Sequence, residues 1–443
     1  MMASYSILFL CILLLVVGIT FSRTFMQIDI TAYGLLFGAF YFLFFPLVFL
    51  ILTGQLSVPW WLVNNNIGLN DVIVGQHDQA FLYLLFYIIG IFILFALLRF
   101  KKQKNNNPED LKIDNSLELR IYYISIVSYI AVSIYILFSS NLLAGGHWYD
   151  SRELYIQETG SLAVIAYYLV WALRLIIVAY SFELLERKRI SLIAVLVIIL
   201  AMCSYELAFV GNRIIVVMFG VTGLLYVFKN YGIRKLITIG MLLVPIALVL
   251  AIYSTVRSLL FIAPFSQIIE SLFSNLGNTA ILSTLLSVFE YSDTVVVMNL
   301  FTDIGHSIAP VYGTTFLRLF TWFIPRNIWP DRPLNLSLQV GALYTPGVAP
   351  AVFTFGEFQF NFAQLGLLFF PLFIFLFLIF RTFIISKLSY KFYFSFVLGF
   401  LMFRFPISEI ITMVIISVLF YGLIKFTFPI MLPKQFSRQD SKI

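Results

Sequence analysis

ITAYGLLFGAFYFLFFPLVFLIL, residues Ile30–Leu52, contains no charged side chain. About 20 apolar residues in a helix cross the roughly 30 Å hydrocarbon layer of a bilayer, and this run meets that requirement. Comparable runs recur along the chain. They are Ser4–Phe21, Ala80–Leu98, Ile121–Leu143, Ser161–Leu184, Ser191–Val210, Ile214–Phe228, Leu236–Thr255, Gln364–Ile384, Phe392–Arg404 and Ile407–Phe428, eleven predicted spans in all. Ile214–Phe228 and Phe392–Arg404 are short, each reaching only about 20 Å at 1.5 Å per residue. With 61% hydrophobic residues, 11% charged and a mean hydropathy of +0.99, against about 25% charged in ordinary globular chains, the expected class is an all-α polytopic membrane protein.

The net charge of +7 is no nucleic-acid footprint, because the basic residues fall in short loops where they set topology. Cys11 and Cys203 both lie inside apolar runs, so neither a disulfide nor a metal site is expected. Met1 to Thr20 has no basic n-region and no small-residue cleavage site, and reads as a retained first span rather than a signal peptide. Three regions follow: 1–255 with the first eight spans, 256–363 as one large outer loop, and 364–443 with the last spans and a short tail.

Alternating the eleven spans puts every lysine on one side, from Lys101 and Lys188 to Lys229, Lys391 and Lys425. The positive-inside rule makes that side cytoplasmic. The outer side holds no lysine but does hold Arg152, Arg213, Arg257, Arg318, Arg326, Arg332 and Arg404. Charge bias would exclude both residue types alike. For any one arginine, snorkelling to the interface or pairing with an acid is explanation enough. For all of them together, the planar fork that matches phosphate and carboxylate points to a shared anionic partner.

The outer loop exceeds the usual length of an unstructured connection, so it is expected to be structured and functional. Phe265–Phe289 has helical periodicity with one wet face, which predicts one or two amphipathic helices. Further on, Thr321-Trp-Phe-Ile-Pro-Arg-Asn-Ile-Trp-Pro-Asp-Arg-Pro333 is irregular backbone, since proline blocks helix continuation. Its tryptophans suit sugar faces, but aromatic belts at membrane interfaces explain most such residues. Glu206 and Arg213, seven apart, share a helical face and read equally well as a site or as a buried pair. Asp303 and His306 have the spacing of one helical face. Several arginines, several carboxylates and a position just outside a bilayer suit a lipid-linked diphosphate. Guanidinium groups would offset the charge of the leaving diphosphate, and a carboxylate or His306 would take a proton from an attacking hydroxyl.

Phe323-Ile-Pro-Arg-Asn-Ile-Trp-Pro-Asp-Arg-Pro333 resembles the Pro-Arg-x-x-Trp-Pro-x-(Lys/Arg)-Pro segment of the Wzy-type O-antigen and capsule polymerases. Thr354-Phe-Gly-Glu357 with Asn361-Phe-Ala-Gln-Leu-Gly366 is similar to that family's Gly-Glu-x-x-x-Asn-Phe-Gly-x-x-Gly stretch, with Ala363 where the family often has glycine. Gly211-Asn-Arg213 matches its short Gly-x-Arg motif. Specific residues are covered only from about 211 to 366.

The resemblance implies a GT-C-like helical bundle in a bacterial inner membrane. Such an enzyme joins undecaprenyl-diphosphate-linked oligosaccharide units on the outer face, with no cofactor, metal or nucleotide sugar. A flippase and a chain-length regulator are the partner proteins implied. On this reading Arg213 and Arg257 bind the diphosphate, and Arg326 and Arg332 shape the loop or hold the second carrier. Arg318 and Trp329 complete the candidate binding set. The base is sought among Glu357, Asp331, Glu290, Asp293 and His306, led by Glu357. An O-antigen ligase shares the layout, although the Pro-Arg-x-x-Trp-Pro stretch favours a polymerase. A polysaccharide transporter or lipid flippase is the alternative of another class; it would place paired charges near the bilayer midplane, whereas the ionisable residues here gather on the outer side.

Overall fold

Every regular element among the described residues is helical, as the apolar runs require. A computed structural model describes residues 2–53, 78–100, 115–139, 161–207, 213–232, 234–235, 238, 291–324, 328–344, 350–385 and 391–431. In chain order the helices are α1 (Met2–Thr20), α2 (Ser22–Ile28), α3 (Ile30–Thr53), α4 (Asp78–Phe100), α5 (Asn115–Ser139), α6 (Ser161–Glu186), α7 (Leu192–Tyr205) and α8 (Ile214–Gly232). After them come α9 (Tyr291–Asp303), α10 (Thr314–Thr321), α11 (Leu336–Tyr344), α12 (Thr354–Phe362), α13 (Gly366–Ile385), α14 (Lys391–Arg404) and α15 (Ile407–Met431).

Seven of these helices are long and apolar enough to cross a membrane, or eight if the bent pair α1 and α2, at 73° to each other, forms one span. The difference from eleven has local causes. Leu236–Thr255 lies almost wholly outside the described residues, as does the amphipathic pattern of Phe265–Phe289. The predicted span Ser191–Val210 is helical only to Tyr205, after which the chain widens into a π-type turn at Glu206–Leu207. Phe392–Arg404 forms α14, but Tyr393 to Phe403 are all buried. It is an internal helix enclosed by α3, α6, α12 and α15 and need not reach both faces of a bilayer.

α14 lies against α3 with almost no space between the backbones. A Cβ added to Gly399 would come within 1.9 Å of the Thr31 carbonyl oxygen, and one added to Gly34 within 2.2 Å of that of Phe396. Small residues are what permit such approach between membrane helices. Aromatic side chains fill the rest of the seam: Phe42 stacks on Phe403 with ring centroids 5.7 Å apart, and Phe353 meets Phe403 at 4.7 Å.

The ends of several helices converge at a pole marked by the lysines. Lys229 Nζ of α8 is 2.7 Å from Glu186 of α6, Arg187 reaches Glu118 of α5 at 2.8 Å, and the Tyr393 hydroxyl of α14 donates to Glu186 at 2.7 Å. Partly exposed pairs of this kind contribute at most about 1 kcal/mol each. Their value here is directional, since α14 starts at this pole and therefore ends, with α15 beginning, at the opposite one.

Thr354–Phe362, which the sequence places in the outer loop, packs inside the bundle, with residues 354–361 all buried. It joins α13 through a single 3₁₀ turn in which Ala363 has φ 49°. That backbone region favours glycine, and a side chain there costs about 1–3 kcal/mol. Ala363→Gly is therefore expected to raise stability by about 1 kcal/mol after the added chain entropy of glycine. A thermal melt of the detergent-solubilised protein checks this, and an unchanged or lower midpoint would remove the strain.

Candidate functional site

The site grows from the break between α14 and α15. A residue preceding proline is disfavoured in a helix, and Pro406 ends α14 two residues after Arg404. The Pro406 carbonyl then accepts from the amides of Glu409 and Ile410, starting α15. The amides of Ile407 and Ser408 at this new N-terminus have no intrahelical acceptor. Glu357 of α12 supplies one: its Oε2 accepts from the Ile407 amide and, at 3.4 Å, from that of Ser408. Its Oε1 accepts from the hydroxyls of Ser408 at 2.9 Å and Thr315 at 3.1 Å. Asn361, one turn along α12, donates to Thr315 Oγ1 at 2.6 Å and to the Glu357 carbonyl at 2.7 Å.

Glu357 is 0% exposed. A carboxylate with four donors at the positive end of a helix dipole is well satisfied. It joins α10, α12 and α15, and both of its oxygens are taken up by donors of the protein itself. Burial of an acid between three elements is a structural assignment that the sequence motif alone does not convey.

One turn beyond Thr315 on α10, Arg318 enters the same region at 5% exposure. It shares a hydrogen bond with the Tyr168 hydroxyl of α6 and lies within electrostatic reach of Glu409. Its Nε is buried without a hydrogen-bond partner among the described residues. The Glu409 carboxylate also accepts from the Asn335 side-chain amide. Trp322 closes over Tyr168 with centroids 5.3 Å apart.

Down α6 from Tyr168 the series continues. Trp171 meets Phe405 at 4.9 Å, Arg404 sits 4.8 Å over the other ring of that contact, and Arg174 sits 4.4 Å over Trp171. The Trp171 Nε1 is a buried donor with no acceptor among the described residues. Arg174 binds Glu206 through two parallel hydrogen bonds of 2.7 and 2.8 Å, and the Tyr129 hydroxyl donates to the same carboxylate. Glu206 thus pairs with Arg174, not with Arg213. Seven-residue spacing on one helix fails here because the helix ends before Arg213 is reached.

Arg213 stands at the start of α8, where its carbonyl accepts from Val216 and Val217. Its Nη1 is buried with no acceptor among the described residues. A cation at a helix N-terminus is poorly placed unless an anion joins it.

Other sequence candidates lie apart from this cluster or in different roles. Arg332 is buried and turned inward, its Nη1 donating to the carbonyls of Trp322 at 2.8 Å and Ile324 at 2.6 Å. It fixes the turn of the Trp-Pro-Asp-Arg-Pro stretch, while Asp331 and Trp329 remain exposed. Asp293 accepts from the Ala351 amide at 3.0 Å. Asp303 and His306 do not share a helical face: α9 stops at Asp303, whose carbonyl accepts from the amides of His306, Ser307 and Ile308. The Asp303 carboxylate instead takes the Tyr344 hydroxyl at 2.8 Å, and burial together with that carboxylate pushes the tyrosine's pKa well above its usual range. His306 is exposed. Arg257, Glu290 and Arg326 lie outside the described residues. Among the described residues no three His, Cys, Asp or Glu side chains gather as a potential metal set.

Protein-family models, curated proteins and solved structures give no match to this chain. Sequence reasoning missed Arg174, Tyr168, Thr315, Ser408 and Glu409. Arg174 carried a usable signal, an ionisable residue in the middle of an apolar run; the others become visible only once α6, α10 and α15 are seen together.

Proposed function

We propose that this chain is a membrane glycosyltransferase that joins undecaprenyl-diphosphate-linked oligosaccharide units into O-antigen or capsule-type polysaccharide, within an eleven-span, GT-C-like bundle. The observation that carries the reading is Arg318, a guanidinium buried opposite the lysine-marked pole with a donor that has no acceptor among the described residues. Buried donors are almost always paired, so an acceptor-rich anion is the natural complement, and Arg213 offers a second such donor. Trp322, partly exposed and in contact with Tyr168 beside Arg318, offers a flat face for a sugar ring.

In this reading the diphosphate lies against Arg318 and Arg213, which offset the charge that develops as the glycosidic bond to the lipid phosphate breaks. Tyr168 and Glu409 hold Arg318 in orientation. Glu357 positions α10, and through it Arg318, by fixing Thr315. The proton of the attacking sugar hydroxyl goes to Asp331 or His306, the two exposed groups among the base candidates that the described residues include.

Arg318→Lys tests the assignment. A point charge lacks the planar fork, and polymer yield in membranes is expected to fall at least about 100-fold with protein level and melting temperature retained. Polymer of normal length and amount from the lysine variant would remove Arg318 from the site.

A further inference from the structure

α10 has a second face that the site does not use. Thr315, Arg318 and Thr321 form its buried stripe, whereas Leu317, Phe320 and Phe323 follow at the same three-residue spacing on the other side, Phe320 at 73% exposure. Ile328, 72% exposed, with Tyr312 and Trp329, adds further exposed large side chains in the segments before and after α10. Arg332 holds the turn after α10 by binding the carbonyls of Trp322 and Ile324. A water-facing loop seldom displays so many large apolar side chains in one place.

The neighbourhood of α10 indicates what covers them. Phe316 stacks on Phe373 of α13 with centroids 5.4 Å apart and on Phe362 at 5.9 Å. α13 belongs to the candidate span Thr354–Thr382, and its own exposed stripe runs through Leu368, Phe369, Leu372 and Leu376, just after the exposed Leu365 of the 3₁₀ turn. The exposed faces of α10 and α13 therefore flank one shared aromatic contact, and the apolar face of α10 continues that of a membrane span.

We propose that α10 and the turn after it lie in the plane of the membrane interface at the pole opposite the lysines, with Leu317, Phe320, Phe323 and Ile328 immersed in the acyl chains of that leaflet. A short helix with one apolar face and aromatic flanks binds a bilayer in this way. The inference does not depend on glycosyl transfer.

Its test is depth measurement on the full chain in liposomes. In a Cys11→Ala, Cys203→Ala background, nitroxide labels at positions 317, 320 and 323 are compared with a label at 368 on α13 and one at 331. Labels on α10 are expected to collide readily with oxygen and poorly with a water-soluble nickel chelate, as at 368, with the opposite pattern at 331. Nickel access at 320 and 323 equal to that at 331 would overturn the proposal. So would shielding from both reagents, which would mean that a second copy or another protein segment covers the face. A label-free measurement compares wild type with Trp329→Phe. The emission lost in the variant is expected to be quenched by lipid brominated near the glycerol and spared by aqueous iodide; the reverse contradicts membrane contact.

Discussion

Glu357→Gln is expected to cost the purified protein about 2–3 kcal/mol, which for a chain of this length lowers the melting temperature by roughly 2–3 °C. The carboxylate accepts from four donors on two other helices. An amide keeps one acceptor oxygen and turns an NH₂ group toward donors, leaving buried N–H or O–H groups unpaired. Thr315→Val and Ser408→Ala are each expected to cost about 1 kcal/mol. Combined with Glu357→Gln they should add less than their separate costs, because all three remove parts of one network. Thermal unfolding at fixed scan rate checks both statements. A Glu357→Gln protein that melts like wild type yet makes no polymer would return Glu357 to the role of base and end its role as clamp.

Removing one partner of the Arg174–Glu206 pair is the other large effect. Both side chains are buried, at 4% and 0% exposure, so a single substitution leaves an uncompensated charge in the bundle. Arg174→Met and Glu206→Leu are each expected to cost about 3–5 kcal/mol, and the double variant clearly less than their sum. Low yields of the single variants with recovery in the double variant would show this in membrane extracts by size-exclusion chromatography. Equal, additive losses would mean that the two residues act independently and that packing around Trp171, not charge, is what each substitution disturbs.

Much of this architecture is legible in the sequence because a bilayer imposes one simple rule on backbone polar groups. Uncharged runs such as Ile30–Leu52 locate helices, and the placement of Lys229 and Lys391 anticipates helix ends that do meet, at Glu186 and Tyr393. The shortness of Phe392–Arg404 was also readable, but not that α14 is buried on every side, since an apolar residue looks the same facing lipid or facing protein. For the same reason Glu206 could be recognised as a costly buried acid while its partner could not: Arg174 is 32 residues earlier on another helix. Glu357 was found through a short motif, yet its environment depends on Ser408 and Thr315, about 50 residues away on either side. Arg318 was counted among loop arginines, and only the amphipathic spacing of α10 turns it inward.

The central claim, that the chain extends a glycan on a lipid carrier, is tested most directly by incubating the purified protein in liposomes with a lipid-diphosphate-linked oligosaccharide unit and resolving the products by size. A ladder of lipid-linked products spaced by one repeat unit, absent with Arg318→Lys, is the result expected. A single transfer to a different acceptor would identify a ligase. Unaltered lipid-linked units, or their movement across the bilayer without a new glycosidic bond, would contradict the account.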